Sequence, residues 1–286
     1  MYKIKIFCDF CSSEACKTNF EKVFNSKNYD SYGEDKDFFI TNGEDYTHAI
    51  IMNKATPCLT IPKENVVGLA FEPRELLNLN QEFINYAKKY IGKYLIGQTD
   101  GLPELFIEHY AFMWHNNPHR SISFNEKKYA MSIVLSEKVF APGHKYRHDL
   151  TNEILNNNLP IHIYGRGANN FLNHVNNNNN IKGPFNIDNL PYEKYMFSIC
   201  IENFQSSDYI SEKILDSLYH NCVPIYLGAK NIDNYANNVI HLKGELKHDI
   251  ELLTNIVKDP LRYYNATYNE ENLRNFNFFE NIQKFF

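Results

Sequence analysis

Residues 197–228 read FSICIENFQSSDYISEKILDSLYHNCVPIYLG. The apolar run Phe197–Ile201 has the make-up of a buried strand, and it ends abruptly in Glu202 and Asn203. A polar loop follows. Ser211 then stands where a helix N-cap belongs, with Glu212 and Lys213 in the first turn. The helix is expected over Ser211–His220, and Val223–Leu227 reads as the next strand. Strand, helix and strand in this order predict a parallel sheet with covered faces.

The same alternation extends in both directions. Upstream, Tyr129–Leu135 reads as a strand, Lys145–Asn156 as a helix and Ile161–Tyr164 as a strand. Downstream come a strand at Val239–Leu242 and a helix at His248–Val257. The first half repeats the theme, with strands at Lys3–Phe10, His48–Asn53 and Val66–Phe71 and a further apolar stretch near Tyr90–Ile96. Leu76, Leu79, Phe83 and Ala87 recur at helical spacing across Glu75–Tyr90. The polar, proline-bearing segment His115–Ser121 is the expected linker. The reading is therefore α/β, with domains at 1–122 and 123–262 and a helical tail at 263–286. The aromatic residues of the tail suit packing back on the domains; a partner or a membrane surface is the alternative. The asparagine run Asn176–Asn180 reads as a surface loop.

The chain has 286 residues, 43% hydrophobic and 22% charged, which are values of a folded globular protein. Its formal net charge of −5 gives no global field to hold DNA or RNA, so no nucleic-acid partner is expected. No signal-peptide pattern and no long apolar window occur, which predicts a cytoplasmic protein without a membrane anchor. Cysteines in such a chain are expected to be reduced. Cys8, Cys11 and Cys16 have partial zinc spacing but no fourth ligand follows, and no metal is assigned.

In open α/β sheets ligands sit beyond the carboxyl ends of strands, near helix N-termini. Lys213 in a first helical turn opposes the helix dipole, by about 0.3–1 kcal/mol. A phosphate at that N-terminus reverses the sign, because free N–H groups, dipole and ammonium all favour an anion. A solvated, paired lysine is the plainer alternative. Arg147, near the start of an upstream helix, has the fork geometry for phosphate oxygens; a surface pair with Asp149 or Glu153 is its alternative. Gly165-Arg166-Gly167 lacks the third glycine of a dinucleotide fingerprint. Glu72 ends a strand in Phe71-Glu72-Pro73-Arg74, where partial desolvation raises a carboxylate toward a useful base; a pair with Arg74 is its alternative. Asp100, Glu104 and Glu108 are alternative bases.

Glu202-Asn203, Tyr209, Glu212-Lys213 and the following Val223-Pro-Ile-Tyr-Leu-Gly228 resemble, in type and spacing, the donor-binding motif of α-1,3/1,4-fucosyltransferases, glycosyltransferase family 10. Ser136, Arg147, Ile154 and Tyr164-Gly165 resemble its upstream elements, and Phe71-Glu72-Pro73 resembles its Glu-bearing strand end. Met196 stands where the family usually has lysine, and Glu137 where it has asparagine.

The resemblance implies a GT-B architecture, two Rossmann-like domains facing across a cleft, with acceptor bound by the first and donor by the second. It implies GDP-fucose as donor and an oligosaccharide or glycoconjugate acceptor, expected to contain N-acetylglucosamine. Arg147 and Lys213 would neutralise the diphosphate. Glu212 would hold the ribose, Asn203 and Tyr209 would contact the donor, and Glu72 would be the base of an inverting transfer. No cofactor is implied, and a divalent metal would be at most stimulatory. The alternatives are a GT-B transferase with another nucleotide sugar and a non-catalytic relative.

Overall fold

The computed structural model describes residues 1–24, 30–110, 123–175, 179–186, 190–266, 275–276 and 278–286. The expected linker at His115–Ser121 and most of the asparagine run lie outside them. The chain forms two compact units, one from Met1–Asn117, Ser206–Tyr209 and Arg274–Phe286, the other from Pro118–Gln205 and Ile210–Leu273.

The first unit holds a six-stranded sheet of β1 (Tyr2–Cys8), β2 (Phe38–Thr41), β3 (His48–Met52), β4 (Val66–Leu69), β5 (Lys93–Ile96) and β6 (Phe106–Glu108). Its order is β2-β1-β3-β4-β5-β6, and every pairing is parallel. Both faces are covered, so β3 is apolar from Ala49 to Met52. Ile50 and Met52 enter a core with Ile4, Ile6 and Phe20, while Ala49 and Ile51 enter the opposite core with Phe83 and Tyr94. Helix α1 (Ser13–Phe24) covers the first face. Phe278, Ile282 and Phe285, from the terminal helix and the turn after it, complete that core.

The expected Glu75–Tyr90 helix is two helices, α2 (Arg74–Leu77) and α3 (Gln81–Tyr90). Asn78 adopts a left-handed φ of 47°, which ends the first. Asn80 caps the second by accepting from the Phe83 N–H at 2.9 Å.

The second unit holds β7 (Tyr129–Val134), β8 (Ile161–Tyr164), β9 (Ile181–Gly183), β10 (Tyr195–Ile201), β11 (Val223–Leu227) and β12 (Ile240–His241). This sheet is also wholly parallel, in the order β12-β11-β10-β7-β8-β9. Helices α4 (Pro142–Asn156), α5 (Glu212–Tyr219), α6 (Leu246–Lys258) and α7 (Pro260–Tyr263) accompany it. After β9 the chain returns to the other side of β7, so the direction of winding reverses between β7 and β10. That switch point is where a doubly wound sheet opens a crevice at its carboxyl edge.

The Gly165-Arg166-Gly167 sequence serves close packing. Gly165 has φ +91°, and a β-carbon on it or on Gly167 would overlap the Leu135 or Ser136 carbonyl oxygen. Those glycines therefore answer to backbone approach within the sheet, and the dinucleotide reading falls away.

Candidate functional site

The carboxyl end of β10 delivers Glu202 and Asn203 to the switch point, and α4 runs in beside them. Gly143 makes this approach feasible. Its N–H donates to the Asn203 carbonyl at 3.0 Å, and a β-carbon there would overlap the Glu202 carbonyl oxygen. Gly143→Ala must push helix and strand apart. It is expected to lower the thermal unfolding midpoint by the equivalent of about 1–3 kcal/mol, readable in a thermal melt.

One helical turn further, Arg147 is 95% removed from solvent and donates from Nη2 to Asn203 Oδ1 at 2.9 Å. The surface pairing with Asp149 or Glu153 does not describe it: the guanidinium points to the β10 end. Glu202 is buried as well. Its carboxylate accepts from the Ser211 N–H at 2.9 Å and from Ser211 Oγ at 2.6 Å. Ser211 is the N-cap of α5, accepting the Lys213 N–H at 3.3 Å. Lys213 Nζ reaches Glu202 at 3.5 Å and Glu212 at 3.0 Å.

These contacts set the local charge. Burial pushes the Glu202 carboxyl up, and the Lys213 ammonium pulls against it. Burial favours a neutral Lys213, but Glu212 and Glu202 outweigh it and hold the ammonium up at about 12. Lys213 thus enters the site charged, as an anion-binding role requires.

His144 was not singled out in the sequence. It is buried in the first turn of α4, and its Nδ1 accepts from the Ala141 N–H at 3.3 Å. Burial, then Arg147 and Lys213, press its imidazolium down to about 4. The sign follows from the unfolded chain, where histidine titrates near its ordinary 6.5 and so binds the proton first. Stability from this residue is complete above about pH 6.5 and is lost as pH falls toward 4. Thermal melts of His144→Gln against the parent should therefore show a difference that changes across this window and is flat above it.

Beside these groups lies a cavity of about 390 Å³, lined in part by Pro142, Gly143, Tyr146, Glu202, Leu227 and Gly244. Two of its lining residues, Tyr146 and Gly244, are held by Asp249, which is buried and accepts from Tyr146 Oη at 2.6 Å and from the Lys243 and Gly244 N–H groups at 2.9 Å each.

The remaining named residues belong to the first unit. Glu72 follows β4, and its Oε2 accepts from Tyr209 Oη at 3.4 Å. Tyr209 is buried there. Ser206–Tyr209 reaches the carboxyl end of β5, where Gly97 admits the Ser207 carbonyl without room for a β-carbon. Arg74 donates to the Asp100 carbonyl. Glu108 is exposed, and its carboxyl is raised by partial burial and by Asp208 beside it. Arg147, Asn203, Glu212 and Lys213 are thus gathered within the second unit, and Glu72 with Tyr209 within the first.

Residues 124–265 match the family model described as glycosyltransferase family 10 (fucosyltransferase) C-term. Among solved structures, the chain resembles an alpha1,3-fucosyltransferase with GDP-fucose at TM-score 0.54 and 13% identity, covering 96% of this chain and 88% of that one. It also resembles Anabaena Alr3699/HepE in complex with UDP and glucose, at TM-score 0.61 and 11% identity, covering 99% and 98%. Two parallel six-stranded sheets with helices are the GT-B complement those structures share. A stretch of 67 residues is 37% identical to the Xenopus tropicalis GDP-fucose protein O-fucosyltransferase 3, covering 23% of this chain and 14% of that protein.

Proposed function

Residues 124–265 are a family 10 fucosyltransferase C-terminal domain, and from that premise we propose that the chain is an inverting transferase moving L-fucose from GDP-fucose to a glycan hydroxyl. The observation that carries the proposal is the convergence of Arg147, Asn203 and the charged Lys213 at the β10 end, beside the N-termini of α4 and α5.

Departure of GDP puts negative charge on its β-phosphate. Arg147 and Lys213 are the groups that stabilise this charge. Glu212 holds the ribose hydroxyls, and Asn203 and Tyr209 contact the donor. Glu72 takes the acceptor proton as the acceptor oxygen attacks the anomeric carbon. Attack opposite the leaving group turns a β-linked donor into an α-fucoside, and the proposed linkage is α-1,3. The acceptor is a glycan containing N-acetylglucosamine. Direct displacement of this kind needs no cofactor beyond the donor.

Release of GDP from GDP-fucose across a panel of acceptor glycans tests the proposal. Acceptor-dependent release supports it. Selective thermal stabilisation by UDP or CMP over GDP would assign another nucleotide sugar.

A further inference from the structure

At the carboxyl end of β1 three thiols converge. Cys8 closes the strand, Cys11 lies in the following turn and Cys16 sits in α1. Their Sγ atoms all lie within 4.8 Å of one another, and Cys11 and Cys16 are 3.3 Å apart. All three are free thiols. We propose that Cys8, Cys11 and Cys16 bind one thiophilic d10 cation, zinc(II) being the probe that defines the site, through three thiolates.

The dimensions carry this assignment. A zinc ion about 2.3 Å from each sulfur in tetrahedral directions sets the sulfurs about 3.8 Å apart, within the observed spread. The linear pattern Cys-x2-Cys-x4-Cys offers no fourth ligand, which is why spacing alone argued against a metal. The strand-to-helix turn supplies the convergence instead. Cys16 is fully buried against the core of the first sheet, whereas Cys8 and Cys11 are half-buried. The site is therefore anchored on one side and reachable on the other. A fourth position is left for water or an external ligand.

The location is also the place where a doubly wound sheet takes ligands. In the first sheet the chain leaves β1 for β2 on one side and resumes at β3 on the other, so the winding reverses at β1 and β3. Asp9, between the first two cysteines, accepts from Asn53 Nδ2 at 3.4 Å and from the Lys54 N–H at 3.3 Å. Asn53 Oδ1 in turn accepts the Phe71 N–H at 2.9 Å. A cation in the thiol site would thus fix the turn that ties β1 to the ends of β3 and β4.

The experiment uses the full chain, reduced and metal-free, titrated with zinc(II) against a chromophoric chelator. One zinc per chain is expected, with a raised unfolding midpoint. The double variant Cys8→Ala/Cys11→Ala, at half-buried positions, should lose both effects, and Cys58→Ala should keep them. Cadmium(II) should give a thiolate-to-metal absorption band in the parent and not in the double variant. Failure of the parent to compete with the chelator would overturn the proposal. So would equal stoichiometry in the double variant, or a Cys11–Cys16 disulfide that forms in the presence of saturating zinc.

Discussion

Glu72→Gln is expected to lower turnover by about 10²–10⁴-fold and to leave GDP affinity unchanged. Glutamine keeps the size of the side chain and an oxygen that accepts from Tyr209 Oη, so the observed contact survives the change. It cannot take a proton. The loss is therefore expected in kcat, with little effect on the donor KM, and it is read in a steady-state GDP-release assay. Glu108→Gln is the matched control. Its carboxyl is raised by partial burial and by Asp208, so it is the competing base in the same unit. Full turnover in Glu72→Gln together with lost turnover in Glu108→Gln would move the base assignment to Glu108.

Lys213→Ala is expected to weaken GDP binding by about 10–150-fold, the worth of one charge-assisted contact of about 1.5–3 kcal/mol. Calorimetric titration with GDP measures it directly. The substitution has a second consequence. It strips the buried Glu202 carboxylate of its cation and leaves Ser211 as its remaining partner in the cap. Glu202 should then protonate more readily, because the ammonium that opposed the effect of burial is gone. A folded-state pKa driven up withdraws stability as pH rises through it. Lys213→Ala should therefore lose more stability at neutral pH than in mild acid, and Glu202→Gln placed on top of it should remove that pH dependence. An unchanged GDP affinity in Lys213→Ala would sink the phosphate role.

Much of this architecture can be read from residue order, and the reasons for the exceptions are physical. The β10–α5–β11 stretch announces itself because it needs no distant partner: an apolar run, a serine cap and a second apolar run specify it locally. β2 and β9 do not, because they are four and three residues long and gain their identity from pairing with β1 and β8. Helix α1 is hidden for a similar reason, with Cys16 and Phe20 as its buried contacts and a largely polar sequence around them. The break between α2 and α3 turns on Asn78 accepting a left-handed φ, a choice periodicity does not register.

The site divides the same way. Ser211 as cap and Lys213 beside it follow from local rules. Arg147 was readable only as a cation with two plausible fates, since its bond to Asn203 crosses 56 positions. Gly143 and His144 carry no local signal for their roles. One is defined by the peptide packed against it, and the other by its burial and the cations near it. The convergence of the cysteines is likewise a product of the turn after β1, which linear spacing understates.

The composition of the first unit bears on how the chain is made. Phe278, Ile282 and Phe285 sit in the core that β1 and α1 begin. On a ribosome the earliest residues normally fold first. Here that core lacks Phe278, Ile282 and Phe285 until the residues of the second unit have been made, while the sheet of the second unit is complete once β12 has emerged. The first sheet therefore keeps part of its apolar face uncovered until Phe278, Ile282 and Phe285 emerge, after every strand of the second sheet.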